Sequence, residues 1–120
     1  MKATFTLAGC WRSRYVTMDG RELHPGRSRH VVNHSPDGLS WGYEGSGPAQ
    51  LALAALLRLM AEWEAVAEHQ RFTREVIARL PQADFVADVI VSREGGGKYE
   101  YAISLGVGGR ECLTSRAQPI

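Results

Sequence analysis

Residues 40–57 read SWGYEGSGPAQLALAALL, and the fold turns on how this stretch divides. Two aromatics lead through a glycine-rich turn into a run that is Leu, Ala or Met at every position from Leu51 to Met60 except Arg58. Proline suits the first turn of a helix, because its missing N–H would have no partner there, so Pro48 marks a helix start. Gly47 or Ser46 stands at the cap, and Gln50 can reach back as in a capping box. Leu53, Leu56, Leu57 and Met60 form one stripe, and Ala52, Ala55 and Leu59 a second. A helix apolar on several faces is a buried one, here laid across a sheet.

Working outward, the chain after Met60 becomes amphipathic, with Trp63 and Val66 expected inward and Glu62, Glu64 and Glu68 in water. A second helical segment, HQRFTREVIARL, places Phe72, Val76 and Leu80 on one face with Ile77 beside them, and Pro81 ends it. Strands lie on both sides of this helical block. ATFTL alternates, and Asp19-Gly20 between extended flanks is a hairpin signal. RHVVN reads as a further strand, and Ser35-Pro36-Asp37-Gly38 as a type I turn leading to a strand over Leu39–Tyr43 that pairs back on His30–His34. FVADVIV and YEYAISL flank a glycine-rich hairpin tip at Arg93–Lys98, and the tail to Ile120 reads as irregular or a short edge strand. Strands, then helices, then strands make an α+β domain: an antiparallel β-sheet packed on one long buried helix plus a second, shorter helical segment. Residues 1–120 form a single domain, with a C-terminal β-hairpin over 85–105.

Composition narrows the function classes. With 44% hydrophobic and 22% charged residues the chain is of globular type, and it has no apolar run long enough for a transmembrane helix. The N-terminal apolar stretch is too short and threonine-rich for a signal peptide, so a cytoplasmic location is expected, with no membrane partner. Two cysteines, Cys10 and Cys112, are then expected as free thiols, although chain ends often lie close enough to pair. A net charge of +1 argues against strong non-specific nucleic-acid binding. The charge is uneven, however: residues 1–34 hold six Lys/Arg against two acids. Arg12, Arg14, Arg27 and Arg29 form a candidate basic edge for a partner, the structural alternative being a charged strand edge that resists sheet-to-sheet pairing.

The candidate chemistry is sparse. His30 and His34, if on a strand, stand roughly 13 Å apart at about 3.3 Å per residue and cannot share a metal, and no other metal-ligand spacing exists. No metal, cofactor or catalytic residue is assigned. Ser46 lies at a helix start, but Glu44 replaces the glycine that a nucleophile elbow needs, and no His/Asp partner is identifiable. An enzyme using Ser46 or Glu44 remains the rival reading. The loop Trp41–Gln50 is the candidate ligand site: Gly45 and Gly47 permit outward N–H groups, the helix N-terminus favours an anion, and Trp41 or Tyr43 can stack on a planar group. Trp41, Tyr43, Gly45, Ser46, Gly47 and Gln50 would together suit a nucleotide-like ligand, with Glu44 opposing it. The structural alternative is that the glycines admit close helix packing and the aromatics are core.

Over Tyr15 to Leu80 the chain resembles a family of small domains of unknown function found in phages, prophages and their hosts. The residues that carry the resemblance are Ser35-Pro36, Gly38, Trp41-Gly42-Tyr43, Gly45-Ser46-Gly47-Pro48-Ala49-Gln50 and Leu51-Ala52-Leu53. Glu44 departs from that pattern, in which a small residue is usual. The resemblance implies a phage or mobile-element accessory protein acting in the host cytoplasm, and transfers no activity. Such a protein is expected to bind rather than catalyse, inhibiting a host defence protein or capturing a nucleotide-like small molecule. One alternative is an anti-CRISPR-type protein that blocks a nuclease complex through the basic edge. Another is a structural protein that forms a homo-oligomer through the Tyr99–Leu105 strand.

Overall fold

The computed structural model describes residues 1–35 and 37–106. Five antiparallel strands, β1 (Lys2–Cys10), β2 (Tyr15–Met18), β3 (Arg21–Glu22), β4 (Phe85–Ser92) and β5 (Glu100–Leu105), form one sheet in the order β3-β2-β1-β4-β5. Between β3 and β4 the chain builds α1 (Gly26–Val31), α2 (Ser46–Leu56), α3 (Glu62–Glu75) and a 3-10 turn at Ile77–Arg79. The domain is therefore α+β. In-register pairs Phe5↔Val89, Leu7↔Ala87 and Gly9↔Phe85 share one sheet face, and these residues are buried. The alternate pairs Thr4↔Ile90, Thr6↔Asp88 and Ala8↔Val86 share the other, more exposed face. Period-2 side-chain alternation thus puts the apolar set of β1 and β4 under the helices.

The β2–β3 hairpin forms at Asp19-Gly20, whose φ values of 52° and 81° are the left-handed pair that a two-residue hairpin turn needs. The hydrophobic run of α2 is buried from Gly47 to Leu56, as its all-round apolar character requires. Its N-cap is Gly45 with no side-chain cap, so Gln50 is not a capping residue.

Three local expectations are corrected. RHVVN is not a strand: Pro25 starts α1 there, and Val32 to Ser35 are held by Gln50 instead of by a partner strand. Leu39–Tyr43 is likewise irregular, with Leu39, Ser40 and Trp41 buried in the core. The buried helix ends at Leu56 through tightened bonds (Arg58 N–H to Ala55 O, Leu59 N–H to Leu56 O), and α3 starts afresh at Glu62 and runs unbroken past Glu68.

The face of α3 is also rotated from expectation. Ala65, His69, Phe72 and Thr73 point to the core, whereas Trp63 is 72% exposed and Val66 36%. Glu64 and Glu68 turn toward the β4–β5 hairpin rather than water. Glu64 Oε2 accepts from Arg93 Nη1 and from Tyr99 OH, each at 2.9 Å, and Glu68 accepts from Tyr101 OH. Arg71 pairs with Glu68 and Glu75 and donates to the Tyr99 carbonyl. Burial, and then the hydrogen bond with Glu68, raise the Tyr101 phenol well above its ordinary value, so it stays a donor. This hydrogen-bonded seam docks β5 on α3, where hydrophobic periodicity alone had assigned α3 a Trp-lined inner face.

Cys10, buried at the end of β1, is disulfide-bonded rather than a free thiol. Cys112, Pro36 of the Ser35–Gly38 turn and the tail from residue 107 lie outside the described residues. The turn's Gly38 N–H donates to Ser35 O at 3.2 Å.

Candidate functional site

The glycine-rich turn between Ser40 and α2 is built around Trp41, which is fully buried. Its ring meets Trp11 and Phe85 edge-on at centroid distances of 5.5 and 5.0 Å, and its Nε1–H donates to Ala83 O at 3.1 Å. Gly9 of β1 makes room for it, since a Cβ there would lie 2.8 Å from the indole. Gly42, at φ +84°, turns the chain over the 3-10 segment and donates its N–H to Ile77 O. Tyr43 then swings outward, 42% exposed, and its ring lies over Gly45, where a Cβ would approach it to 2.7 Å. Gly47 packs on Ser40, with 2.7 Å from an added Cβ to the Ser40 Cβ. Close approach, rather than an outward-facing nest of N–H groups, therefore accounts for Gly45 and Gly47.

Gln50 is 0% exposed and uses both ends of its amide. Its Oε1 accepts from the N–H groups of His34 (2.8 Å) and Ser35 (3.0 Å), and its Nε2 donates to Ser28 Oγ (2.8 Å) and Val32 O (3.0 Å). The amide thus ties α1 and the following loop, which lack a sheet partner, to α2. The expected ligand residues consequently divide: Trp41, Gly47 and Gln50 face the core, while Tyr43, Gly45 and Ser46 face solvent.

The arginines divide too. Arg14, in a left-handed turn at φ 62°, places its guanidinium 3.6 Å from the Trp11 ring centroid and donates from Nε to Ser40 Oγ at 3.2 Å. Since Ser40 touches Gly47 and the Tyr43 hydroxyl lies beside Gly47, Arg14 stands on the same face as the Tyr43–Ser46 turn. Arg12, exposed in the same β1–β2 connection, flanks it. Arg27 and Arg29 instead ride on α1, and Arg27 lines a cleft with Leu57 and Arg58 at the far end of α2. With a helical rise of about 1.5 Å per residue, the two groups are separated by roughly 15 Å along α2. The exposed half of the loop and half of the arginines thus meet at one end of the molecule. There a stacked cation, a phenol and a hydroxyl stand together at the N-terminal end of α2, with exposed Glu44 as the opposing charge. Among the described residues Ser46 has no His or carboxylate hydrogen-bonded to it that could activate it.

A further constellation escaped sequence reasoning because its members are 35 positions apart. His34 Nε2 and His69 Nε2 lie 2.8 Å from each other, and His69 Nδ1 is 2.7 Å from Val66 O. A carbonyl only accepts, so His69 carries its proton on Nδ1 and its Nε2 accepts from His34 Nε2–H. Burial first, and then the charge of His69, lower the His34 pKa.

No significant match was found among curated proteins or among solved structures. The profile of a family of unknown function, DUF6166, matches residues 10–94, which include the whole Trp41–Gln50 turn, α1 to α3 and β4. The match reaches beyond Tyr15–Leu80 on both sides and covers most of the chain, so the chain belongs to the DUF6166 family.

Proposed function

We propose that the protein is a non-catalytic binding protein, an accessory of phages or other mobile elements that inhibits a host defence component by capturing a nucleotide-like signal. The observation that carries the binding reading is the face on which Arg14, stacked on Trp11 and tethered to Ser40, stands beside the exposed Tyr43–Ser46 turn. A phosphate would take its charge partner from Arg14 and the N–H groups at the start of α2, and a base would stack on Tyr43. Glu44 then disfavours highly charged ligands and favours those with few phosphates per base. The phage and anti-defence parts of the proposal rest on the Trp-Gly-Tyr and Gly-Ser-Gly-Pro-Ala-Gln resemblance. The test is thermal denaturation against a panel of linear and cyclic nucleotides. A ligand at about 100 times its Kd adds ~2.7 kcal/mol, a rise in Tm on the order of 10 °C for a domain of this size. Arg14→Gln and Tyr43→Ala should each abolish that rise; no rise with any nucleotide rejects the nucleotide version.

The exposure of Arg12 beside Arg14 favours a second reading, in which this end docks on an acidic surface of a nuclease complex. Copurification with such a complex, lost on Arg12→Glu with Arg14→Glu, would support it over nucleotide capture.

A further inference from the structure

We infer that the cleft between α1 and the C-terminal end of α2, remote from the Arg14 face, binds a phosphate-type oxyanion. Leu23, His24, Arg27, Ser28, Ala54, Leu57 and Arg58 line it, around a volume of about 190 Å³. Among the described residues its charged side chains are all basic, and no acid lines it.

The side chains offer donors and almost nothing else. Arg58 is held in place by a 2.6 Å bond from Nη2 to Glu22 O, which leaves the rest of its guanidinium for a ligand. His24 Nδ1 accepts from Gly26 N–H at 3.1 Å, so the neutral ring carries its proton on Nε2 and presents a second kind of donor. Ser28 Oγ is already spent, donating to Pro25 O and accepting from Gln50 Nε2. Leu23, Ala54 and Leu57 are buried and form an apolar floor. With cationic side-chain donors and no carboxylate among the described lining residues, the cleft favours an acceptor-rich anion, and a phosphate oxygen cluster is that ligand.

Charge pairing across the molecule points the same way. Among the described residues the ion pairs join Arg71 and Arg93 to Glu64, Glu68 and Glu75, on the hairpin side of α3. Arg27 and Arg58 both line the cleft, with no carboxylate among its described lining residues to offset their charge. The C-terminal end of α2 favours a cation at Arg58, just past its C-cap Leu57, through the helix dipole, but that offers no reason for Arg27 on a different element. The buried Gln50 amide fixes α1, which carries Arg27, against α2, and Arg58 stands in the turn just past the end of α2, tied to Glu22 O. The volume is below the roughly 300–1,000 Å³ of a site that encloses a drug-sized molecule, so the cleft takes the phosphoryl group and leaves its carrier outside.

The test is NMR titration of the full chain with sodium phosphate, pyrophosphate and glycerol phosphate at constant ionic strength, with sodium chloride as control. Saturable shifts confined to Gly26, Arg27, Ser28 and Arg58 are expected, with pyrophosphate bound more tightly than phosphate. Glycerol phosphate bound more tightly than phosphate would identify a carried phosphoryl group, and the reverse a free inorganic anion. Arg27→Gln, an exposed position that leaves folding intact, should weaken binding about tenfold, the loss of one charge-assisted contact. Arg58→Lys should weaken it by a similar factor, while Arg14→Gln should leave it unchanged, which separates this site from the Tyr43 face. Shifts that follow sodium chloride alone, or binding that survives Arg27→Gln at full strength, overturn the inference.

Discussion

Replacing Gln50 with leucine separates a structural amide from a ligand contact. The side chain keeps its approximate size and position in α2 but loses four hydrogen bonds, two accepted by Oε1 and two donated by Nε2. At a net ~1 kcal/mol each, the bonds sum to about 4 kcal/mol, and a buried donor left unpaired costs a further ~1–3 kcal/mol. The N–H of Ser35 is such a donor, because the residue is only 8% exposed. His34 and Val32 are half-exposed and can take water instead, and the added apolar surface of leucine returns about 1.5–3 kcal/mol. The expected net loss is therefore ~2–5 kcal/mol. A domain of this size holds roughly 6–18 kcal/mol in all, at ~0.05–0.15 per residue, so the variant should stay folded but melt earlier. Urea denaturation followed by tryptophan fluorescence reads the loss, and hydrogen exchange should show it concentrated in Ser28 to Ser35. A cost under about 1 kcal/mol would refute the reasoning. So would unchanged stability with lost ligand binding, which would make Gln50 a ligand contact.

Three further outcomes follow from the same geometry. Gly47→Ala forces a Cβ to 2.7 Å from Ser40 Cβ and should cost ~1–3 kcal/mol in denaturation with no ligand present; a neutral substitution would show that the helix and the Ser40 segment are not packed together. Because the His34 pKa is lowered, the folded state binds fewer protons than the unfolded state once pH falls below the usual histidine value of about 6.5. Stability should then fall from that pH downward until the folded value is passed, and the slope should shrink in His34→Asn; an unchanged slope assigns the effect to another group. Trp63→Ser should change stability by less than ~0.5 kcal/mol while removing a solvent-exposed fluorescence component, and a loss of several kcal/mol would place Trp63 in the core.

Local chemistry made much of the fold legible. Asp19-Gly20 can supply two left-handed residues cheaply, so the hairpin was readable from two letters. The alternation in FVADVIV and the all-round apolar character of LALAALL could only be satisfied by a one-sided strand and a buried helix. The Trp41–Gln50 string was readable as one unit, but its division of labour was not. Gly45 and Gly47 are glycines because Tyr43 and Ser40 lie over them, and Gln50 is glutamine because four polar groups of an unpaired segment converge on it.

The misreadings share a physical origin. RHVVN has β-branched residues that suit a strand, yet its expected partner Leu39–Tyr43 is drawn into the core around Trp41 and Gln50 binds Val32 to Ser35 onto α2. The inward face of α3 was assigned to Trp63 and Val66 by hydrophobicity, yet the hairpin presents Arg93, Tyr99 and Tyr101, which pair with Glu64 and Glu68. No glycine or proline marks the break between Leu56 and Glu62. Secondary-structure type, the hairpins and the buried helix are thus properties of short segments, because backbone preference and side-chain period act over a few residues. The Arg14–Tyr43 face, the α1–α2 cleft and the His34–His69 pair depend on which distant segments the core brings together, and that only the tertiary structure decides.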